Sequence, residues 1–368
     1  MEPSLPPSLA IGLMSGTSRD GVDAALIRSN GLGHVEPLAF LHHSYDDAFR
    51  ARLAEACDVA LKLPAPTAHD LIEQVTRELT DRHAEIVHAL IEQAGYHSRD
   101  IHAIGFHGHT IAHRPDRRWT WQIGDGQALA KATNIITVHD FRSADVAAGG
   151  QGAPLIPIYH GAMTQGLGRP VALLNLGGVA NITAIGPDED MIAFDCGMAN
   201  ALIDDWVQQH FGLAYDKDGR IAATGVVDDA TLKQMLTHPF FDASAPKSLD
   251  RADFSISQVA HLSPEDGAAT LTAFTAMGVA RGCALLPHPP QQILVAGGGR
   301  LNPVLMEMVG RFCGAEVHAV DSFGWNGDAT EAEGFAYMAL RRLADLPISF
   351  PGTTGAPVPM TGGVICRP

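Results

Sequence analysis

The sequence predicts an α/β protein of two domains that share one plan, each built on a mixed β-sheet. With 368 residues the chain exceeds what a single hydrophobic core usually serves. The order strand meander, helix, strand, helix occurs twice along it. Hydrophobic residues make up 46% and charged residues 18% of the chain, which is typical of compact globular proteins. We therefore expect two related α/β domains.

The first half begins with apolar runs that predict a strand meander over residues 9–42. Apolar residues at helical spacing, such as Leu71, Val75 and Leu79, predict two helices. These helices span residues 46–62 and 67–95. The elements that follow are strands at 101–106, 119–123 and 135–138, with a helix at 127–133. A glycine-rich break at 149–154 then predicts a crossover or hinge.

The second half repeats this order. Three strands are predicted at 171–176, 181–185 and 191–194, the last ending at Asp195. Predicted helices follow at 199–211, 228–237 and 267–286. A buried strand at 293–296, a helix at 302–313 and a last helix at 331–343 come before a Pro/Gly-rich tail.

Charge and cysteine content limit the possible partners. A formal net charge of −16 disfavours binding to nucleic acid or to an anionic membrane. The five cysteines are dispersed without a CxxC pair, which favours free thiols in a reducing cytoplasm. The first residues lack a basic segment, and no apolar run is long enough to cross a bilayer. We therefore expect a cytoplasmic protein with no signal peptide, no nucleic-acid partner and no membrane partner.

Three glycine-containing turns at strand ends indicate a nucleotide site. They lie at residues 15–23, 174–181 and 295–302. Glycines let a backbone approach a ligand closely, and hydroxyls with backbone N–H groups accommodate phosphate oxygens. Asp20 and Asp23 would repel a bare phosphate, so we expect a divalent cation to accompany it. The turn lacks the Gly-Lys-Ser/Thr sequence of a P-loop.

Several motifs together resemble the anhydro-N-acetylmuramic acid kinases, a branch of the superfamily that includes actin and hexokinase. In the first half the matching segments are GLMSGTSRDGVD at 12–23, HGHTIAH at 107–113, QIGDG at 122–126, DFRSAD at 140–145 and AGGQGAP at 148–154. In the second half they are NLGGVANI at 175–182, FDCG at 194–197, PKS at 246–248, GGGRLN at 297–302 and TEA at 330–332. The resemblance covers nearly the whole chain. Arg19 and His109 stand where many family members have Leu and Gln.

The resemblance implies a two-domain actin-like ATPase (sugar kinase) fold with duplicated mixed β-sheets and a central cleft that closes during the reaction. Residues 1–140 would form the first domain, completed by residues 329–368, and residues 141–328 would form the second. It also implies ATP and Mg²⁺ as cofactors and 1,6-anhydro-N-acetylmuramic acid as the small-molecule substrate. The enzyme would open the anhydro bridge with water and phosphorylate O6, as part of peptidoglycan recycling. A homodimer is implied as well.

The family's site residues transfer to matching positions. Asp195 corresponds to the general base, and Glu331 to an acidic residue that positions water and sugar. The implied ATP-binding residues are Gly16, Thr17, Ser18, Arg19, Asp20, Gly21, Val22, Asp23, Asn175, Gly177, Gly178, Gly297 and Gly298. Asp20 would hold the metal through water. Arg142, whose planar fork suits a carboxylate, is the expected sugar clamp, with His107 and Asp145 as further sugar contacts.

Structural explanations remain open for the key residues. Asp195 could cap the helix that begins nearby, and Glu331 could be a first-turn acid favoured by the helix dipole. Arg142 could form an ion pair with Asp140 or Asp145. At the level of function, the alternatives are a sugar kinase that opens no ring and a non-catalytic ATP-binding switch of the same fold.

Overall fold

The computed structural model describes residues 6–16, 18–249 and 253–368. By their contacts, the residues fall into two compact units. The first unit is Met1–Gln165 with Ala329–Pro368, and the second is Gly166–Asp328. In the described part of the chain, no helix is both long and apolar enough to cross a membrane.

The first unit is built on a seven-stranded mixed sheet. Its strands are β1 (Ser8–Ser15), β2 (Gly21–Ser29), β3 (Val35–Ser44), β4 (Ile101–Arg114), β5 (Trp119–Ile123), β6 (Thr137–His139) and β12 (Val364–Cys366). The order across the sheet is β12-β6-β4-β1-β2-β3, and β5 pairs with β4. The first three strands are antiparallel neighbours, whereas β4 runs parallel to β1 and β6 runs parallel to β4.

Helices cover both faces of this sheet. They are α1 (Asp47–Lys62), α2 (Asp70–Ala94), α3 (Gly126–Thr133), α4 (Ser143–Ala148), α5 (Pro157–Met163), α10 (Thr330–Leu343) and α11 (Pro351–Thr354). Successive strand residues point to opposite faces. Accordingly, Ile11 packs in a core with α1 and α2, and Ala10 packs in a separate core with α5 and α10.

The second unit has a five-stranded mixed sheet. Its strands are β7 (Val171–Leu176), β8 (Val179–Ile185), β9 (Met191–Met198), β10 (Gln292–Ala296) and β11 (Glu316–Ala319). Its α-helices are α6 (Asn200–Phe211), α7 (Asp229–Met235), α8 (Pro264–Ala284) and α9 (Pro303–Cys313). The strand order is β11-β10-β7-β8-β9, with β7, β8 and β9 antiparallel and with β10 and β11 continuing parallel to β7.

The two sheets share one topology. The order β3-β2-β1-β4-β6 in the first unit matches β9-β8-β7-β10-β11 in the second. In each, an antiparallel meander is followed by two parallel strands. The predicted α/β class with duplicated mixed sheets is therefore confirmed.

Residues 141–165, which the sequence analysis assigned to the second domain, belong to the first unit. Their aromatic residues explain why. Phe141 packs against Phe335 of α10 with ring centroids 5.4 Å apart, and Tyr159 packs against Tyr337 at 5.6 Å. The Tyr159 hydroxyl also donates to the Glu333 carboxylate at 2.8 Å. These contacts attach α4 and α5 to the first core.

Candidate functional site

The loop between β1 and β2 is a tight turn of small and polar residues. Arg19 has a left-handed backbone (φ 56°), and its N–H donates to the Gly16 carbonyl at 3.0 Å. The Ser18 hydroxyl donates to Asp20 Oδ1 at 2.7 Å. An added Cβ on Gly16 would meet only Ser18 Oγ, at 3.6 Å, so the backbone here has open space beside it. Thr17, also predicted to bind ATP, lies outside the described residues.

Three buried polar side chains next to this loop are linked to one another. Ser15 Oγ accepts from the Tyr45 hydroxyl at 2.9 Å and lies 3.0 Å from His109 Nδ1. Burial, together with the positive charge of Arg19, lowers the pKa of His109 to about 4. The ring is therefore neutral at pH 7. Burial raises the pKa of the Cys57 thiol on α1, and the Arg19 guanidinium opposes this rise.

Three residues predicted to bind ATP lie at the start of β2 and differ in their surroundings. Gly21 has no room for a side chain, because a Cβ would lie 2.3 Å from the His43 carbonyl oxygen of β3. Val22 is buried in the core beneath the sheet. Asp23 is the polar one of the three, and its Oδ1 lies 2.7 Å from His42 Nδ1. Packing within the first unit is thus sufficient to explain why Gly and Val occupy positions 21 and 22.

Arg142, His107 and Glu331 come together in the first unit. Arg142 Nε donates to His107 Nε2 at 3.1 Å, and Arg142 Nη1 donates to the Gly152 carbonyl at 2.7 Å. Burial lowers the pKa of Arg142 to about 10, while Glu331 and then Asp145 act in the opposite direction. The guanidinium stays charged at neutral pH.

Glu331 is the second residue of α10, in its first turn, and it is exposed to solvent. Even so, the surrounding protein desolvates the carboxyl enough to raise its pKa. Arg142 opposes this rise, and the charge of Asp23 reinforces it. The charges of Arg142, the predicted sugar clamp, and of Asp23 on β2 therefore both act on Glu331.

Asp145 is buried and surrounded by hydrogen-bond donors from its own unit. Its Oδ1 accepts from the Gly152 N–H at 2.7 Å. Its Oδ2 accepts from the hydroxyls of Thr354, at 2.6 Å, and Ser349. These bonds join the glycine-rich loop after α4 to the C-terminal segment. The carboxylate, predicted as a sugar contact, is used here to hold the loop that bears Gly152.

In the second unit, the predicted nucleotide glycines lie around Asn175. Ala296 of β10 is the register partner of Asn175, and Gly297 follows with φ 75°. A Cβ on Gly297 would lie 2.4 Å from Asn175 Oδ1. The carbonyls of Gly177 and Gly178 accept from the N–H groups at the start of α6, and Gly298 lies beside Asn200 of that helix. The second unit therefore brings all five of these residues together.

Asp195 lies within β9, three residues before the end of the strand rather than at the end, as the sequence suggested. Its N–H donates to the Lys247 carbonyl at 2.9 Å, and its Oδ2 accepts from the Leu249 N–H at 2.9 Å. Burial raises the pKa of the carboxyl to about 6, and the Leu249 hydrogen bond opposes this rise. A carboxylate with this pKa can accept a proton near neutral pH.

Asn181 is a polar residue that the sequence analysis did not select. It is the register partner of Asn175 on one side and of Asp195 on the other, so the three residues form a row across β7, β8 and β9. All three are only partly buried, although apolar residues dominate these strands. Its position as a polar residue three positions after Gly178, at the start of the strand predicted at 181–185, was the available signal.

The described residues do not form a cluster of side-chain ligands for a metal ion. Among the described residues, no group of three or more His, Cys, Asp or Glu side chains could hold an ion. Asp20 lies in the β1–β2 loop, and Asp23 lies near the start of β2. Mg²⁺ is usually bound by one or two carboxylates together with substrate phosphates, so this pair fits a metal that arrives with a nucleotide.

Comparison with known proteins agrees with the motifs. Residues 8–368 match the family model described as anhydro-N-acetylmuramic acid kinase. A curated protein of that name from Rhizorhabdus wittichii is 56% identical over 361 residues, covering 98% of this chain and 99% of its own. A second, from Zymomonas mobilis, is 55% identical and covers 97% of this chain and 99% of its own. A third, from Rhodospirillum rubrum, is 49% identical and covers 96% of this chain and 93% of its own.

Proposed function

Because the chain belongs to the anhydro-N-acetylmuramic acid kinase family, we propose that it opens 1,6-anhydro-N-acetylmuramic acid with water and transfers the γ-phosphoryl group of ATP to O6. The product is N-acetylmuramic acid 6-phosphate, and the reaction belongs to peptidoglycan recycling. The observation that carries the proposal is Asp195, a desolvated carboxyl whose pKa is raised to about 6 and whose Oδ2 is held by the Leu249 N–H.

Asp195 is the proposed general base. It takes a proton from water as the water oxygen forms a bond to the anomeric carbon. As this bond forms, the bond between that carbon and the bridging O6 breaks. The freed O6 then attacks the γ-phosphorus, and ADP leaves with the electrons of the broken phosphorus–oxygen bond. Glu331 positions the water and the sugar, and Arg142 binds the lactyl carboxylate through its planar guanidinium.

The β1–β2 loop and the glycines around Asn175 are the proposed ATP-binding segments. The open backbone beside Gly16 supports this role, since a phosphate can approach the N–H groups there. Asp20 would hold Mg²⁺ through water, and the ion would neutralise phosphate charge during transfer. We also propose a cytoplasmic homodimer. The five free cysteines support a reducing compartment, and the family resemblance supports the dimer.

The proposal is tested by mixing the protein with ATP, Mg²⁺ and the anhydro sugar in ¹⁸O-water and following the products by mass. The label is expected at the anomeric hydroxyl and not in the transferred phosphate. Asp195→Asn should abolish turnover while ATP still binds, and exposed Asp188→Asn serves as the matched control. Label in inorganic phosphate without a sugar phosphate would indicate simple ATP hydrolysis and contradict the proposal.

A further inference from the structure

The two ring nitrogens of His107 have partners that fix the position of its proton. Nδ1 lies 2.9 Å from the Gly108 carbonyl oxygen, which can only accept a hydrogen bond. Nε2 lies 3.1 Å from Arg142 Nε, which can only donate one. The proton therefore resides on Nδ1, and the lone pair of Nε2 accepts from Arg142.

The surroundings keep this ring neutral and in place. His107 is only 4% exposed. Burial, reinforced by the charge of Arg142, lowers its pKa well below the ordinary histidine value. The ring also packs against Phe335 of α10, with centroids 4.7 Å apart. A neutral ring held in this way is a fixed acceptor for a guanidinium.

Two bonds set the orientation of Arg142. Nε donates to His107 and Nη1 donates to Gly152, and these bonds use two of the five N–H groups that a guanidinium carries. The remaining N–H groups belong to the Nη1 and Nη2 edge. These remaining groups can donate to a carboxylate.

We propose that His107 is a positioning residue that orients Arg142 toward the carboxylate of the sugar substrate and does not itself contact the sugar. The inference rests on the proposed function, because it takes a carboxylate-bearing sugar as the ligand of Arg142. It assigns to His107 a role different from the sugar contact that the sequence suggested.

Two substitutions each preserve one of the two hydrogen bonds of the ring and remove the other, so that their effects can be measured separately. In His107→Gln, the amide oxygen takes the place of Nε2 and still accepts from Arg142. In His107→Asn, the amide nitrogen takes the place of Nδ1 and still donates to Gly108, but the acceptor for Arg142 is lost. We expect His107→Asn to raise the KM for the sugar about tenfold or more, because the lost bond involves a charged group. His107→Gln should stay within about threefold of wild type, and the KM for ATP should change in neither variant.

The opposite result, a near-normal His107→Asn and a defective His107→Gln, would show that the ring serves the Gly108 turn, and it would overturn the proposal. A double-mutant cycle guards against variants that merely fold poorly. With Arg142→Lys already present, His107→Asn should raise the sugar KM no further. A further rise of the same size would mean that His107 acts without Arg142.

¹⁵N NMR of the histidines in the wild-type protein tests the same arrangement without any substrate. The His107 signals should show a protonated Nδ1 and an unprotonated, hydrogen-bonded Nε2 from pH 6 to 8. An Nε2–H tautomer or an imidazolium would contradict the inference. If the NMR result is as expected but the wild-type protein does not act on the anhydro sugar, the proposed function is wrong, whereas the orientation of Arg142 by His107 is still supported.

Discussion

Gly12 and Gly105 are register partners on the adjacent parallel strands β1 and β4, and the backbone of α10 lies directly over both. A Cβ on Gly12 would lie 1.7 Å from the Ala332 carbonyl oxygen, and one on Gly105 would lie 1.9 Å from the Phe335 carbonyl oxygen. The absence of both side chains therefore lets the helix approach the sheet. Because Glu331 occupies the first turn of α10, this pair of glycines also determines where Glu331 lies.

We expect Gly105→Ala to lower the free energy of unfolding by about 3 kcal/mol, because the added methyl group forces α10 away from β4. Activity should fall as well, since the displacement moves Glu331. Urea unfolding and sugar turnover measure the two effects. Gly168→Ala is the matched control. Its Cβ would meet nothing within 4 Å, so its stability should stay within about 0.5 kcal/mol of wild type. An unchanged unfolding midpoint in Gly105→Ala would contradict the close packing of α10.

The sequence predicted most elements of the fold because they carry strong local signals. The apolar runs at 9–42 and 171–185 and the helical spacing at 46–62 and 67–95 correspond to strands and helices within a few residues. The two glycine turns at 174–181 and 295–302 could also be recognised locally, and in the second unit they lie together. Asp195 stood out as an acid next to an apolar run.

Long-range contacts could not be predicted in this way. The residues around Gly12 and Gly105 do not indicate that a helix from residues 330–343 packs on them. The residues around Asp145 likewise do not indicate hydrogen-bond partners more than 200 positions away, at Ser349 and Thr354. β12 is only three residues long, and its pairing with β6 depends on tertiary packing rather than on propensity. For the same reason the motif around Asp145 predicted a sugar contact but gave no indication of its hydrogen-bond donors at Ser349 and Thr354.

Asp145→Asn tests the structural role of that carboxylate. Both of its oxygens accept hydrogen bonds, so an amide would turn an NH₂ group toward a donor. We expect the free energy of unfolding to fall by about 2 kcal/mol, as for a buried charged acceptor that loses a partner. Asp116→Asn, at a side chain that is 71% exposed, provides the control in the same unfolding experiment. A raised sugar KM at unchanged stability would instead favour direct sugar contact.

Gly297→Ala tests the close approach of β10 to Asn175. The substitution strains a backbone with φ 75° and places a methyl group 2.4 Å from Asn175 Oδ1. We expect a loss of about 3 kcal/mol in stability and a higher KM for ATP, because strain and overlap add. Gly314→Ala isolates the strain, since its φ is 63° and its Cβ would meet nothing within 4 Å. It should lose about 1 kcal/mol and keep its ATP KM. Equal losses in the two variants would argue against the overlap.

The pH dependence of turnover should follow the ionisation of Asp195. Burial raises the pKa of this carboxyl to about 6, and a general base must be ionised to accept a proton. As the pH falls through 6, the protonated fraction rises, so kcat/KM for the sugar should decrease, approaching about tenfold per pH unit well below that value. The decrease should persist in Glu331→Gln at lower overall activity, because the carboxyl responsible is that of Asp195. If the decrease at low pH disappears in Glu331→Gln, or if kcat/KM stays constant down to pH 5, the general base is a group other than Asp195.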